Sequence, residues 1–182
     1  TLGNATFFGG LSSNISSDLA ACSSPTRGVI AGGFNISGRS SGNVINTIEY
    51  ITIQTLGDSL DFGDLSSSRR LIGASSNSNR GLFAGGGPEG GITNTIDYIT
   101  IASTGNTIDF GDLTVARREL SGVSSSTRGV FGGGNTPVSP TNDNTIDFVT
   151  IASLGNATDF GDSTNVRTSY GACSDAHGGL GD

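Results

Sequence analysis

An internal repeat limits the fold of this chain more than any other feature of its sequence. The stretch Asn94-Thr-Ile-Asp-Tyr-Ile-Thr-Ile101 returns as Asn144-Thr-Ile-Asp-Phe-Val-Thr-Ile151 and, more loosely, as Asn46-Thr-Ile-Glu-Tyr-Ile-Thr-Ile53. The copies begin 48 residues (94 − 46) and 50 residues (144 − 94) apart. A second motif keeps the same spacing: Asp61-Phe-Gly-Asp64, Asp109-Phe-Gly-Asp112, Asp159-Phe-Gly-Asp162 and a degraded copy, Phe8-Gly-Gly-Leu11. A repeat of this length predicts stacked or radially arranged supersecondary units, each too small to bury a core alone.

The composition favours short strands joined by tight turns. Hydrophobic residues make up 34% of the 182 residues and charged residues only 14%, while 30 residues are glycine. The charge density is too low for a typical disordered chain, and Gly, Ser and Asn suit turns between strands. The net charge is −7 and the chain contains no lysine, which argues against binding nucleic acid or an anionic membrane. No apolar run approaches the roughly 20 residues that span a bilayer, so we expect no membrane insertion.

The unit from Leu71 to Leu113 predicts four antiparallel strands. The candidate strands are 71–76, 80–86, 94–101 and 106–113. Ile96 and Tyr98 alternate with Ile99 and Ile101, so apolar groups lie on both faces of the third strand, which predicts a sheet covered on both sides. No window shows the helical spacing of apolar residues over ten or more positions. The sequence therefore predicts an all-β chain.

The repeated residues resemble those of kelch repeats, which form β-propeller blades. The resemblance rests on a glycine doublet after the second strand, an aromatic residue in each of the third and fourth strands, and an arginine beyond. The glycines are Gly32 and Gly33, Gly85 and Gly86, and Gly132 and Gly133; the aromatic residues are Tyr50, Tyr98 and Phe148, then Phe62, Phe110 and Phe160; the arginines are Arg69, Arg117 and Arg167. Kelch repeats usually carry Trp where the fourth-strand Phe stands. The resemblance implies a propeller of about four blades.

The two ends of the chain predict one composite blade. Residues 1–13 align with a fourth strand and residues 168–182 with the first strands of a further unit, on either side of blades at 18–66, 69–115 and 117–165. Together the end segments would close a single propeller domain over residues 1–182. If the parent chain is longer, a larger ring or an open array becomes the expectation, because unpaired sheet edges recruit strands.

The repeated charged residues allow a structural and a ligand-binding interpretation. The paired aspartates could hold calcium, but two carboxylates are too few by themselves, so no cofactor is predicted. We expect a structural role for them instead, in which the Asp side chains either cap the turn or meet the arginine five residues on, Asp64 with Arg69 and Asp112 with Arg117. Arg27, Arg80 and Arg128 recur in register and could either collect anionic sugars or carboxylates or tie down neighbouring carbonyls.

Catalysis is not predicted. His177 is the only histidine, so the sequence has no His/Cys cluster of metal-ligand spacing. The many serines likewise have only this one histidine that could activate them as nucleophiles. Cys22 and Cys173 sit in related contexts, where we align Ala74 and Val123 in the other copies, and are read either as small core positions or as a bridge between the first and last units.

Three variable loops, 34–43, 87–93 and 134–143, predict where recognition occurs. Their candidate contact residues, beside the three repeated arginines, are Asn35, Arg39, Glu89, Asn135 and Asn142. The near-identical repeats and the Ser/Thr/Gly/Asn-rich texture resemble kelch-like regions in structural proteins of marine bacteriophages, particularly those infecting cyanobacteria. That resemblance implies a non-enzymatic virion module, such as a tail fibre, decoration or receptor-binding protein, that contacts other virion or surface proteins or a host surface glycan within a larger assembly. The alternative is a bacterial extracellular or cell-surface structural protein that forms filaments through its incomplete blade.

Overall fold

The computed structural model describes residues 3–11, 15–35, 43–88, 91–138 and 141–174. Fifteen strands form within these ranges, and no helix does. The prediction of an all-β chain is therefore confirmed over the described residues. The strands are β1 (Ile15–Ser17), β2 (Ala20–Ser23), β3 (Arg27–Ala31), β4 (Phe34–Asn35), β5 (Asn43–Val44), β6 (Thr47–Thr52), β7 (Leu60–Asp64), β8 (Gly73–Ser76), β9 (Arg80–Ala84), β10 (Thr95–Thr100), β11 (Ile108–Asp112), β12 (Ser121–Ser124), β13 (Arg128–Asn135), β14 (Asn142–Thr150) and β15 (Thr158–Asp162).

Three sheets have the same antiparallel topology. The first sheet has the order β2-β3-β6-β7, the second β8-β9-β10-β11 and the third β12-β13-β14-β15. In each sheet, strands that follow one another in the chain pair with each other. The one exception is that β3 pairs with β6, because the chain between them leaves the sheet to form β4 and β5. Strands β4 and β5 pair with β1 in a small sheet of order β1-β4-β5, which the repeat does not predict.

The three sheets share one irregularity, at the motif Asp-Phe-Gly-Asp. The register between third and fourth strands shifts at Ile48/Glu49, Ile96/Asp97 and Ile146/Asp147. The glycine of the motif takes a positive φ in each copy, 143° at Gly63, 143° at Gly111 and 132° at Gly161. A bulge with glycine at the strained position bends the strand and twists the sheet.

Adjacent sheets bury two equivalent apolar cores between them. The first core joins Val29, Ala31, Ile48 and Phe62 of the first sheet to Phe83, Ile99 and Ile101 on the second-sheet side. The second core joins Leu82, Ala84, Ile96 and Phe110 to Phe131, Val149 and Ile151. Ile96 and Ile99 thus face opposite cores, which confirms the prediction that the second sheet is covered on both sides.

Each core is completed by an aromatic pair that spans the third and fourth strands. Tyr50 and Phe62 meet edge to face with ring centroids 5.9 Å apart, and Tyr98 and Phe110 do the same at 5.9 Å. Edge-to-face packing of this kind adds about 0.5 to 1.5 kcal/mol beyond the area buried. Phe148 and Phe160 form the third pair at 6.0 Å.

The first strands of neighbouring sheets are joined by serine side chains. The hydroxyl of Ser76 donates to the carbonyl of Ser23 at 2.8 Å, and that of Ser124 donates to the carbonyl of Ser76 at 2.7 Å. The approach is close because Gly122 has no side chain: a Cβ there would lie 2.1 Å from the carbonyl oxygen of Ala74.

A backbone ladder runs through four equivalent residues that all adopt the left-handed conformation. The residues are Asp18, Leu71, Glu119 and Ser169, with φ of 64°, 59°, 60° and 53°. The N–H of Leu71 donates to the carbonyl of Asp18 at 2.9 Å, Glu119 donates to Leu71 at 2.9 Å and Ser169 to Glu119 at 3.1 Å. Non-glycine residues are uncommon in this region of φ, and the bonds on both sides hold them there.

Two alignments made from the sequence are corrected by one position. The third glycine doublet is Gly133 and Gly134, with φ of 58° and 114°, whereas Gly132 pairs with Ser121 inside the sheet. The doublet was misplaced because three consecutive glycines have no side chains that mark the register. Likewise, the strand pairing makes Ser75, not Ala74, the counterpart of Cys22.

The two cysteines are not bridged. Cys22 packs against the first core while Cys173 is exposed, and both are free thiols. The interpretation as a small core residue therefore holds for Cys22 only. Desolvation raises the pKa of the Cys22 thiol to about 12, since its sulfur lies beside Gly81 of the second sheet.

Candidate functional site

The first two repeated arginines lie in the junctions between sheets. The guanidinium of Arg27 stacks on the Tyr50 ring, 4.5 Å from its centroid, and donates to the carbonyl of Ile101 in the next unit at 2.8 Å. Arg80 repeats this arrangement with Tyr98 at 4.8 Å and the carbonyl of Ile151 at 2.8 Å. Both side chains therefore serve to tie one unit to the next.

Arg128, their counterpart in the third sheet, is in a different position. It stacks on Phe148, 4.8 Å from the ring centroid, and is exposed. Within the described residues, no carbonyl accepts a hydrogen bond from its guanidinium. Of the three arginines, only this one is available to an external group.

Buried ion pairs join the units, but their partners differ from the prediction. Arg117 donates to the Asp147 carboxylate at 2.7 Å and to the Thr145 carbonyl at 2.6 Å, and both charged side chains are fully buried. Arg69 pairs in the same way with Asp97, where burial lowers the pKa of Arg69 and the neighbouring carboxylate opposes that shift. The predicted pairs of Asp64 with Arg69 and Asp112 with Arg117 are therefore wrong.

The physical reason is the direction of the arginine side chain. Each arginine follows the fourth strand of its unit and extends into the third strand of the next unit. The aspartate of the Asp-Phe-Gly-Asp motif instead uses its backbone: the N–H of Asp64 donates to the Asn106 side chain at 3.0 Å, and that of Asp112 to Asn156 at 3.1 Å.

The Asp-Phe-Gly-Asp motif acts as the contact between successive units. The carbonyl of Phe62 accepts the N–H of Gly105 at 2.7 Å, and the carbonyl of Phe110 accepts that of Gly155 at 2.8 Å. The degraded copy behaves alike, since the carbonyl of Phe8 accepts the N–H of Gly57 at 3.0 Å. Among the described residues, no three His, Cys, Asp or Glu side chains are grouped closely enough to hold a metal ion.

The predicted loop residues are only partly brought together. Asn135 and Asn142 face each other across the base of the third loop, with Nδ2 of Asn135 3.5 Å from Oδ1 of Asn142. Asn35 lies apart from them, in β4 of the small sheet. Arg39 and Glu89 lie outside the described residues, as does His177.

An open groove of about 500 Å³ lies beside the third loop and includes one of the predicted residues. Its lining is Val115, Ala116, Thr136, Pro137, Val138, Asn142, Asp143, Asn144 and Val166. Three valines of this lining, Val115, Val138 and Val166, are exposed to solvent. The groove thus combines apolar contact area with amide and carboxylate groups at its edge.

Asp143 supplies a fixed negative charge to this groove. Partial burial by itself would raise the pKa of Asp143, but hydrogen bonds from the hydroxyl and N–H of Thr145, with the nearby charge of Arg117, lower it overall. The Asp143 carboxylate accepts those two bonds at 2.7 and 2.8 Å. It is therefore ionised at neutral pH and held in one orientation.

Sequence reasoning missed the valines of the groove. A comparison of the repeats contains the signal at one position, because Val115 stands where the other two copies have Ser67 and Asn165. A position that is polar in two copies and apolar in the third indicates a local function, since the shared scaffold does not require it. At Val166 the signal is weaker, since the equivalent residues are Ser68 and Ala116.

The comparisons with known proteins add no family. Neither the protein-family models nor the curated protein sequences contain a match to this chain. In the parts of the chain that the structure describes, no helix is long and apolar enough to cross a membrane.

Proposed function

We propose that this chain is a non-enzymatic structural and adhesion module of a virion, built from kelch-like propeller blades, that contacts a surface protein or glycan through its variable loops. The observation that carries the proposal is the groove beside the third loop, with its exposed valines and its Asn142 and Asp143 edge. A concave apolar surface with a few fixed polar groups is the usual form of a recognition site.

The blade arrangement is supported by the equivalence of the three sheets. They share topology, bulge position and aromatic pair, and their first strands lie side by side along the serine contacts. Closure through a composite blade of residues 1–13 and 168–182 stays a prediction. In the described parts of those segments, residues 3–11 bond to the first sheet and Ser169 to the third unit, and no hydrogen bond joins the two segments.

The composition of the groove favours a ligand with both apolar and hydroxyl surface. Exposed apolar patches with polar edges mark interaction sites more often than isolated exposed residues do. Sugar rings present C–H faces to valine side chains and hydroxyl groups to amide and carboxylate oxygens. A host surface glycan therefore fits the groove, and a protein loop rich in Ser and Thr would use the same chemistry.

A glycan-binding experiment tests the proposal. The purified chain is applied to a panel of bacterial surface glycans, together with the variants Val138→Ser and Asn142→Ala. Each is expected to weaken binding by about tenfold, which corresponds to about 1.4 kcal/mol. Leu154→Ser is the matched control, since Leu154 is also an exposed apolar residue but lies outside the groove. A folded chain that binds no glycan of the panel would refute glycan recognition.

The alternative function, a filament-forming structural protein of a bacterial surface, is favoured by a different observation. Ile53 on the outer side of the first sheet and Phe160 on that of the third sheet are exposed, whereas their equivalents in the internal junctions are buried. Detection of the chain at regular spacing on purified filaments would support this alternative, and detection on virions would support the first proposal.

A further inference from the structure

The two outer sheets present the two halves of one interface. We call the side of the third sheet that faces away from the second sheet the C-face. Its residues are Val123, Arg128, Val130, Ile146, Phe148 and Phe160, with Arg167 beyond the last strand. We call the side of the first sheet that faces away from the second the N-face, with Leu19, Gly28, Ile30, Ile51 and Ile53. Their equivalents in the other sheets lie in the two internal junctions.

The C-face carries groups that are buried in the other units. Phe160 is 58% exposed, whereas Phe62 and Phe110 are each 2% exposed. Arg167 is exposed, whereas its counterparts Arg69 and Arg117 are fully buried and ion-paired. Within the described residues, the Phe160 ring and the side chains of Arg167 and Arg128 thus lack the neighbouring sheet that their equivalents have.

The backbone of the C-face also leaves space for a neighbouring sheet to approach closely. A Cβ on Gly63 would lie 2.4 Å from the carbonyl oxygen of Gly105, and one on Gly111 2.5 Å from that of Gly155. A Cβ on Gly161 would meet nothing within 4 Å. The glycine that permits close approach is therefore present at Gly161, although no described residue approaches it.

The N-face carries the complementary residues. Ile53 is 43% exposed, whereas its counterparts Ile101 and Ile151 are 1% and 0% exposed. An open groove of about 310 Å³ surrounds Gly28. At the equivalent Gly81, the space is occupied by the sulfur of Cys22, which lies 2.6 Å from the position of a Cβ.

We propose that the C-face of one copy of this chain binds the N-face of a second copy, as each internal sheet binds the next. Arg128 then donates to the carbonyl of the second copy's Ile53, as Arg27 does to Ile101. Val123 and Val130 enter the groove at Gly28, as Leu82 contacts Gly129.

The ends of the chain hold part of this interface in the isolated molecule. On the N-face, the carbonyls of Phe8 and Gly10 accept the N–H groups of Gly57 and Ser59 at 3.0 and 2.9 Å. These are the bonds that Phe160 and Asp162 of a second copy would make. Exchange therefore conserves the hydrogen bonds of the N-terminal segment and adds the arginine and aromatic contacts that this segment cannot supply.

The same exchange operates on the C-face. Ser169 donates its N–H to the carbonyl of Glu119, and the ring of Tyr170 lies against Gly133. Asp18 and Leu19 of the second copy would take these places, as Leu71 and Ile72 do in the first internal junction. The contact is heterologous, so repetition gives a filament, or a ring if the rotation closes. This contact uses sheet faces and not the variable loops, and it rests on the filament-forming alternative proposed above.

The test uses two variants of the full chain that each block one face. Ile53→Arg places a charge on the N-face and Phe160→Arg places one on the C-face, at side chains exposed enough to leave the fold of one chain intact. Mass photometry and sedimentation are measured over a concentration series. The wild type is expected to form a distribution of oligomers that grows with concentration, and each variant alone to remain a monomer.

The equimolar mixture gives the decisive result. Each variant keeps one working face, so the mixture is expected to form 1:1 dimers and nothing larger. Gly9→Ala, whose Cβ would lie 2.0 Å from the carbonyl oxygen of Gly57, weakens the attachment of the N-terminal segment and should move the wild-type midpoint to about tenfold lower concentration. A wild type that stays monomeric up to its solubility limit would overturn the proposal, since the faces would then be covered within one chain. Oligomers formed by either variant alone would also overturn it.

Discussion

Removal of the buried Arg117 guanidinium should destabilise the chain far more than removal of the exposed Arg167 at the same repeat position. Arg117 lies between the second and third sheets and has no exposed surface. It donates to the Asp147 carboxylate at 2.7 Å and the Thr145 carbonyl at 2.6 Å. Arg117→Met keeps the length of the side chain and leaves Asp147 as a buried carboxylate without its cation.

The magnitude follows from the cost of an uncompensated buried charge. Breaking a buried ion pair by removing one partner costs about 3 to 5 kcal/mol. For a chain of this size each kcal/mol lowers the melting temperature by about 2 to 4 °C, so the expected shift is about 6 to 20 °C. Thr114 offsets part of the loss, because its hydroxyl donates to the Asp147 carboxylate at 2.6 Å.

The measurement is urea and thermal unfolding of four proteins at low concentration: wild type, Arg117→Met, Arg167→Met and the double variant Arg117→Met/Asp147→Leu. Arg167→Met is expected to change the free energy of unfolding by less than about 0.5 kcal/mol, as is usual for an exposed side chain. The double variant should recover much of the stability, because an apolar pair of similar volume needs no counter-charge. Equal losses in Arg117→Met and Arg167→Met would refute the argument that burial in the junction sets the cost.

Three further changes test other parts of the junctions. Gly111→Ala should cost about 1 to 3 kcal/mol more in the free energy of unfolding than Gly161→Ala, because both have positive φ but only Gly111 meets the next unit; equal costs in denaturant titrations would show that backbone strain alone acts. Iodoacetamide at pH 8 should modify Cys173 and spare Cys22, whose thiol has its pKa raised to about 12 by burial, so peptide mass analysis showing equal labelling would contradict the packing. Ser76→Ala should lower stability by about 1 kcal/mol through loss of the hydroxyl bond to the first sheet, and no loss in thermal unfolding would argue against the contact between first strands.

The strands of one unit, and the faces on which their side chains lie, could be predicted from the sequence in good detail. The strand intervals of the second unit and the alternation of Ile96 with Ile99 follow from the period of two and from the turn residues. Repetition makes such predictions firmer, because three copies point to the same strand. The one-residue error at Gly132 arose where three glycines in a row removed the side chains that define register.

The contacts between units could not be predicted in the same way. Arg117 and Asp147 are separated by 30 residues (147 − 117), and every copy contains several other carboxylates that are closer in sequence. Local spacing therefore favoured Asp112, whereas the direction in which successive sheets stack decides the partner. The groove at Val138 was missed for a related reason, since it forms from a loop and two unit boundaries that only the fold brings together.

The backbone ladder joins neighbouring copies one after another: Leu71 donates to Asp18, Glu119 to Leu71 and Ser169 to Glu119. This arrangement affects how such chains change over evolutionary time. Each bond involves only two neighbouring copies, so an in-frame duplication or deletion of about 50 codons alters the copy number without disturbing any remaining junction. Genes of this design can vary in steps of one whole unit, and an engineered chain with the second unit doubled should fold with one more identical joint.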